Sequence, residues 1–421
     1  MKGKLLLVLG LFLLSFTALK GEEKDSIRNF SIGQKSIYPF VIQDSPAQIF
    51  TMRQIDEDYL SGYRIYSRLL GECFSPAVNY ALQAVTGFLF LIPLTHEEAH
   101  RSILSGKNIG SVSRPFFFSE RRGYVYGVTD ATLKNLRDTD FPTYSRLHSS
   151  GLESDYMLTH HEEELFAFGQ EKFRNLAVEY LMRKAMIFQY YLMGFIKADV
   201  DDDEETDELL RDIVGNDIYS SVRHLFRPTM TFQRYTRYAD LTTTEVRYLH
   251  KMGYRSLFNL ANLNIIGIPN ISISANTNVN FGMGHILCPF GDFIDENIWI
   301  TYRKKLLLET YVREYQNNQR WFMAGGIGIK DYPILDKFIS SVNLHVWNQP
   351  ENLGFNDAQG KFGGAVEWVG RYFFVSGKGK QHSAVSLDLG LIYKTSGYLP
   401  EEIVMQEHFG IRIGASIALD K

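Results

Sequence analysis

The stretch VNYALQAVTGFLFLIPLTHEEAHRSIL, residues 78–104, sets an apolar run directly against a cluster of histidines and carboxylates. It reads as one helix buried in a domain core rather than a membrane span, because Asn79, Gln83 and Thr86 interrupt it. Pro76 suits the first turn of that helix, and Pro93 marks a kink or join just ahead of the cluster. In His96-Glu97-Glu98-Ala99-His100 the two histidines stand at i and i+4. On a helix this spacing puts both imidazoles on one face, able to close on a single Zn²⁺ about 2 Å from each nitrogen. Glu97 then stands beside the metal, where a carboxylate can take a proton from a bound water. The bland alternative is a solvated helix end. The apolar run leading into the motif argues against it, since ligands are held still only by a buried helix.

Two histidines need a third protein ligand. A second helix start is read at Ser149, and Glu153, Met157, His160 and Glu164 share one of its faces. Glu153 is the first choice: it begins a helix, follows Gly151, which lets helices approach, and comes about fifty residues after His100. His160 is the alternative ligand. The competing reading pairs Ser150 with Glu153 in a capping box that binds no metal. Asp155 is placed to orient a ligating histidine, as metal-bound imidazoles need. His160, His161 and Tyr156 are candidates to stabilise an oxyanion.

An H-E-x-x-H on one helix with a glutamate from a later one resembles the gluzincin branch of the zincin metallopeptidases. The resemblance covers only these two short stretches. It implies that His96, His100 and Glu153 bind zinc, that Glu97 activates water, and that the substrate is a peptide or protein.

The second half changes period. Ile271, Ile273, Ala275, Thr277, Val279, Phe281 and Met283 alternate with small and polar residues, and so do Phe409, Ile411, Ile413, Ala415, Ile417 and Leu419. Strands are expected near Leu306–Tyr315, Trp321–Lys330, Phe338–Trp347, Gly363–Val375 and Ser383–Lys394, with a weaker one at Leu257–Ile266. Eight such strands, ended by aromatics, suit an outer-membrane β-barrel with its aliphatics outward. A soluble, lipocalin-type barrel is the alternative.

The expected fold is therefore α+β. A helical zincin-like domain at 76–250 follows a lead-in and first helix at 22–75, and an antiparallel β-barrel of about eight strands occupies 251–421. The first helix is expected at Thr51–Leu70, and a further core helix at Leu176–Ile196, whose Glu179, Arg183 and Lys184 suit lipid poorly. Met1–Lys20 reads as a secretory signal cut near Gly21, which points to the cell envelope.

A net charge of −4 without basic bias excludes a nucleic-acid role, while 24 Tyr and 30 Phe favour a membrane interface. The acidic run Ala198–Glu208 departs from calcium-loop spacing and reads as a solvated loop. Cys73 and Cys288 show no metal-type spacing, and their pairing stays open. Two functions compete: a zinc metallopeptidase of the envelope, and a non-catalytic outer-membrane barrel carrying a periplasmic helical scaffold or binding domain.

Overall fold

Thr51 opens the first helix, its hydroxyl accepting from the Gln54 amide, and α1 runs Met52–Cys73. This is a computed structural model that describes residues 35–47, 49–114, 123–198, 205–268, 270–376 and 383–420. The signal expected at Met1–Lys20 and the centre of the acidic run, 199–204, lie outside the described residues. Cys73 is exposed and Cys288 buried, and both are free thiols.

Pro76 takes the first turn of α2, Pro76–Thr86, as its preset φ favours. The helix then widens to a π segment, Gly87–Leu91, and continues as α3, Ile92–Ser105, which carries the histidines. Pro93 has no N–H to give the preceding turn, and the widened turn before it absorbs that defect without breaking the rod. Then follow a short hairpin, β2 Val112–Arg114 with β3 Tyr124–Tyr126, and the helices α4 Asp130–Thr139 and α5 Phe141–Ala167. Next come α6 Phe173–Ile196, α7 Asp217–Phe226 and α8 Thr243–Arg255.

The helix expected to start at Ser149 starts instead at Phe141, where the Asp140 side chain accepts from the Thr143 amide and Pro142 fills the first turn. Ser149 to Glu153 thus lie inside α5, the central helix, which packs against α3, α4, α6 and α7 and against the sheet.

Polarity is inverted on α2 and mixed on α6. Of α2 only Asn79 and Gln83 are buried, joined to each other at 2.7 Å and to Tyr63 at 2.8 Å, while Val78, Val85 and Phe88 are exposed. The core burial expected for residues 78–94 therefore holds for their polar stripe and fails for their apolar one. Helix α6 buries Glu179, Arg183 and Lys184 together with Leu176, Tyr180, Ile187 and Tyr191, and exposes Leu181 and Ile196.

The main sheet has ten strands: β1 Lys35–Asp44, β4 Ile271–Ser274, β5 Thr277–Cys288, β6 Gly291–Tyr302, β7 Leu306–Gln316, β8 Trp321–Leu335, β9 Phe338–Pro350, β10 Gly360–Ser376, β11 Ser383–Lys394 and β12 His408–Asp420. All pairs are antiparallel, in the order β1-β12-β11-β10-β9-β8-β7-β6-β5-β4. Among the described residues the two outermost strands, β1 and β4, do not pair with each other, so the sheet is open and the expected closed barrel is incorrect. A membrane-spanning sheet must close so that no edge is left unpaired, and the outer-membrane placement falls with the barrel.

The strand count is corrected too. Residues 257–266 form a 3₁₀ turn and loop, and 271–284 is a hairpin rather than one strand. Lys35–Asp44, from the supposed lead-in, joins the sheet beside β12. Alternation reports that a strand has two unlike faces; it carries no information on whether the last strand meets the first.

Away from the helices the sheet exposes aliphatics such as Ile273, Ile298, Val346, Leu387, Ile411 and Ile413. The β5–β6 turn instead buries Ile286, Leu287, Phe290 and Phe293 among Leu152, Tyr156, Ile187, Ile218 and Leu249. This contact fixes α5, α6 and α7 to the sheet. Farther along the sheet's inner face lies a polar cavity of about 240 Å³, bordered by Arg53, His160, Glu309, Arg313, Lys330 and Arg371.

Candidate metal centre

His96 and His100 leave α3 on one face, their rings 5.1 Å apart at 68°. Each ring is held from behind. His96 Nδ1 lies 2.8 Å from Asp155 Oδ2, and His100 Nδ1 lies 2.6 Å from the Leu147 carbonyl, both acceptors on α5. These contacts put the N–H on Nδ1, so both Nε2 lone pairs point the other way. There they meet one atom, Asp217 Oδ2, at 2.9 Å from His96 Nε2 and 3.5 Å from His100 Nε2. Tetrahedral ligands at zinc distances stand about 3.3 Å apart, which these separations bracket. His96, His100 and Asp217 are buried and form a group able to hold a metal ion.

Asp217 is the first residue of α7. Gly215, at φ 74°, turns the chain into it, and Asp212 stabilises the turn by accepting from the Val214 and Gly215 amides. The Asn216 side chain caps the helix by accepting from the Tyr219 amide at 3.0 Å. Acids at helix starts are common, because the dipole favours them. Nothing in the sequence separates this one from that ordinary case, and so sequence reasoning missed it.

Glu153, expected as the third ligand, is elsewhere. Its carboxylate receives Arg146 through two nitrogens, at 2.5 and 3.0 Å, and the Glu401 amide at 2.9 Å. The gluzincin likeness is thereby corrected: the third corner is an aspartate from α7, and the glutamate of α5 neutralises a buried arginine. The Ser150–Glu153 capping box is absent as well, since both lie within α5 and Ser150 Oγ faces His100 Nδ1 at 3.1 Å.

Asp155 does stand behind His96, its other oxygen bound by Arg183, which in turn holds Glu179 at 2.5 Å. The three oxyanion candidates are all committed to the sheet side. Tyr156 donates to Asp295 at 2.7 Å, His160 faces Glu309 at 2.7 Å, and His161 faces Glu401 at 2.9 Å. His160, Glu164 and Glu309 form a second group of possible ligands, but the Lys330 ammonium already lies 3.0 Å from Glu164 and 3.2 Å from Glu309. Tyr190 of α6, unmarked in the sequence, reaches the centre instead. Its hydroxyl is 3.2 Å from His96 Nε2 and its ring stacks on the imidazole.

Electrostatics make the triangle a seat for positive charge. Burial alone would strip protons from His96 and His100. Asp155 and Asp217 outweigh it at His96, and Asp217 outweighs it at His100, so both histidines are raised. Burial pushes Asp217 up as well, yet the two histidines hold it below the ordinary carboxylate range. A bound cation would take over the charge those protons carry. Half-buried Glu97 is pushed up to about 7, mainly by burial.

The fit of a metal is also steric. A Cβ on Gly151 would collide with the Nε2, Cε1 and Cδ2 atoms of His96, so α5 approaches the ring as closely as a glycine permits. Two imidazole nitrogens and one carboxylate oxygen match the protein ligands of a catalytic zinc site in type and number. Comparisons with protein-family models, with curated proteins and with solved structures find no match.

Proposed function

We propose that the chain is a zinc-dependent peptide hydrolase, with His96, His100 and Asp217 as ligands and Glu97 as the base. The observation that carries this reading is the convergence of two Nε2 atoms and one carboxylate oxygen on a common point. Bound there, zinc would polarise a scissile carbonyl and bring the pKa of a water toward neutrality.

The chain's own residues supply the rest. Glu97 accepts the proton of the attacking water and passes it to the leaving amine, a task suited to a carboxylate that titrates near 7. Asp155 and the Leu147 carbonyl fix both histidine tautomers, and Arg183 fixes Asp155. The Tyr190 hydroxyl is positioned to donate to the oxygen that gains charge as the carbonyl is attacked. The β2–β3 hairpin lies over Glu97, with Gly123 bringing its backbone close to that carboxylate.

Metal analysis combined with hydrolysis of a fluorogenic peptide library tests the reading. Glu97→Gln should keep its zinc and lose about 10²–10⁴ in kcat. Asp217→Ala should lose zinc. Undiminished hydrolysis by zinc-loaded Glu97→Gln would remove Glu97 as base, and a wild-type protein with no affinity for zinc would end the proposal.

A further inference from the structure

We propose that the outer face of α2, the π segment and α6 is seated in the acyl layer of a lipid bilayer. This does not depend on the zinc reading.

The first support is an exposed apolar stripe on each of two adjacent helices, one of them with inverted polarity. Val78, Ala81, Val85 and Phe88 recur at i, i+3, i+7 and i+10 and are all exposed, whereas Asn79, Gln83 and Gly87 are buried. On α6 Leu181, Ala185, Leu192 and Ile196 form an exposed stripe, interrupted by Gln189, opposite a buried face that mixes Leu176, Tyr180, Ile187 and Tyr191 with Glu179, Arg183 and Lys184. Gly87 of the first rod packs against Met182 of the second, so the two apolar stripes are neighbours. On α2 this reverses the arrangement of a helix sorted by water, and on α6 an apolar stripe is left outside a core that is already filled.

The buried charges do not need water, because they are paired within the protein: Arg183 with Glu179 at 2.5 Å and Lys184 with Glu163 at 2.8 Å. The rod Pro76–Ser105 is long and apolar enough to cross a membrane, and only 22% of its most apolar window is buried. The core helix of a soluble domain would have most of that window covered.

Charge placement selects lipid over a second copy of the chain. Lys172 and Arg174 are exposed cations at the start of the apolar stripe, whereas at its far end Lys197 runs into the acidic segment 198–208, so the cationic border is at the start. That arrangement complements anionic headgroups around an acyl layer. Glu97 follows Phe88 by nine residues, about 13 Å along the axis, so the metal centre would lie close to the membrane surface.

Flotation of the full chain with phosphatidylcholine vesicles containing some phosphatidylglycerol tests the proposal. The wild type should float and stay bound in high salt. The triple variant Val85→Glu, Phe88→Glu, Leu181→Glu should partition at least tenfold less, and His96→Ala should float like the wild type. In a second measurement Phe88→Cys, made in a Cys73→Ser background, carries an environment-sensitive dye; Cys288 is buried and stays unlabelled. The dye should shift to the blue with vesicles and be quenched by lipids brominated along the chain, whether or not the triple variant folds. Unchanged flotation of a folded triple variant, or a dye that stays in water, would overturn the proposal. So would release of the wild type by salt, or a lipid-free dimer that the triple variant disrupts while flotation persists.

Discussion

Gly151→Ala adds one methyl group at the tightest contact of the metal centre. The new Cβ would occupy the space of the His96 ring on its Nε2 side, and α5 cannot retreat, because it is packed on several sides. The ring must move instead. Movement breaks the 2.8 Å contact to Asp155 and takes Nε2 away from Asp217. Overpacking of this kind costs about 1–3 kcal/mol of stability. Loss of a contact that orients a ligand costs roughly 10–100-fold in metal affinity. Displacing the ligand itself should exceed that, so zinc should bind more than about 100-fold more weakly.

Competition against a chromophoric chelator measures the affinity, and denaturant unfolding in a chelator measures stability without the metal. The cycle with His96→Ala isolates the clash: with the ring gone, Gly151→Ala should cost little. The two substitutions should therefore couple by about 1–3 kcal/mol. Wild-type zinc affinity with unchanged stability in Gly151→Ala would refute the close approach of α5 and α3.

Glu153→Ala should leave zinc binding intact and cost about 3–5 kcal/mol in a denaturant titration, because it strands the buried Arg146 guanidinium. Loss of zinc in that variant would return the glutamate to the ligand set. His148 is fully buried with neither ring nitrogen hydrogen-bonded, and burial depresses it to about 3. Its neutral form belongs to the fold, so stability should fall as pH drops from about 6.5 toward 3, by up to about 4 kcal/mol. His148→Phe should flatten that limb of the stability curve. His161 behaves in the opposite sense. Burial opposes its charge, but Glu401 raises it to about 9, so its contribution is complete below about 6.5 and disappears as pH rises through 9. His161→Gln should flatten the alkaline limb, and an unchanged slope there would show that the pair does not contribute.

What the sequence revealed of the centre was local. His96, Glu97 and His100 announce themselves through i, i+4 spacing, and Asp155 through its nearness to a supposed ligand helix. Asp217 and Tyr190 lie about 90 to 120 residues from His96, and only the packing of α6 and α7 on α3 brings them near. Glu153 drew attention because it follows Gly151; the glycine proved to be the residue that admits His96, and the glutamate serves Arg146. In the sheet, alternation located most strands of the second half, but β1 lay in a stretch without evident period, and closure is a property of the whole chain. The burial of α2 went astray because apolar content was taken to mean a core position, whereas Asn79 and Gln83 occupy the inside; α6 does pack Leu176, Tyr180, Ile187 and Tyr191 into the core, beside Glu179 and Arg183.

The pairing of β1 with β12 has a kinetic side. Lys35 and Asp420 form an ion pair at 2.7 Å although they are 385 positions apart, and the register from Lys35 to Asp44 follows β12 throughout except for a bulge at Ile42. During synthesis β1 must wait for its partner until the 385 positions from Lys35 to Asp420 have been made. Closing so long a loop is entropically costly and slow. In that interval Tyr38 and Val41, buried in the finished fold, lack β12 and have α1 to lie against. The nascent chain thus carries an unpaired strand edge, a ready template for association with other chains, until β12 arrives.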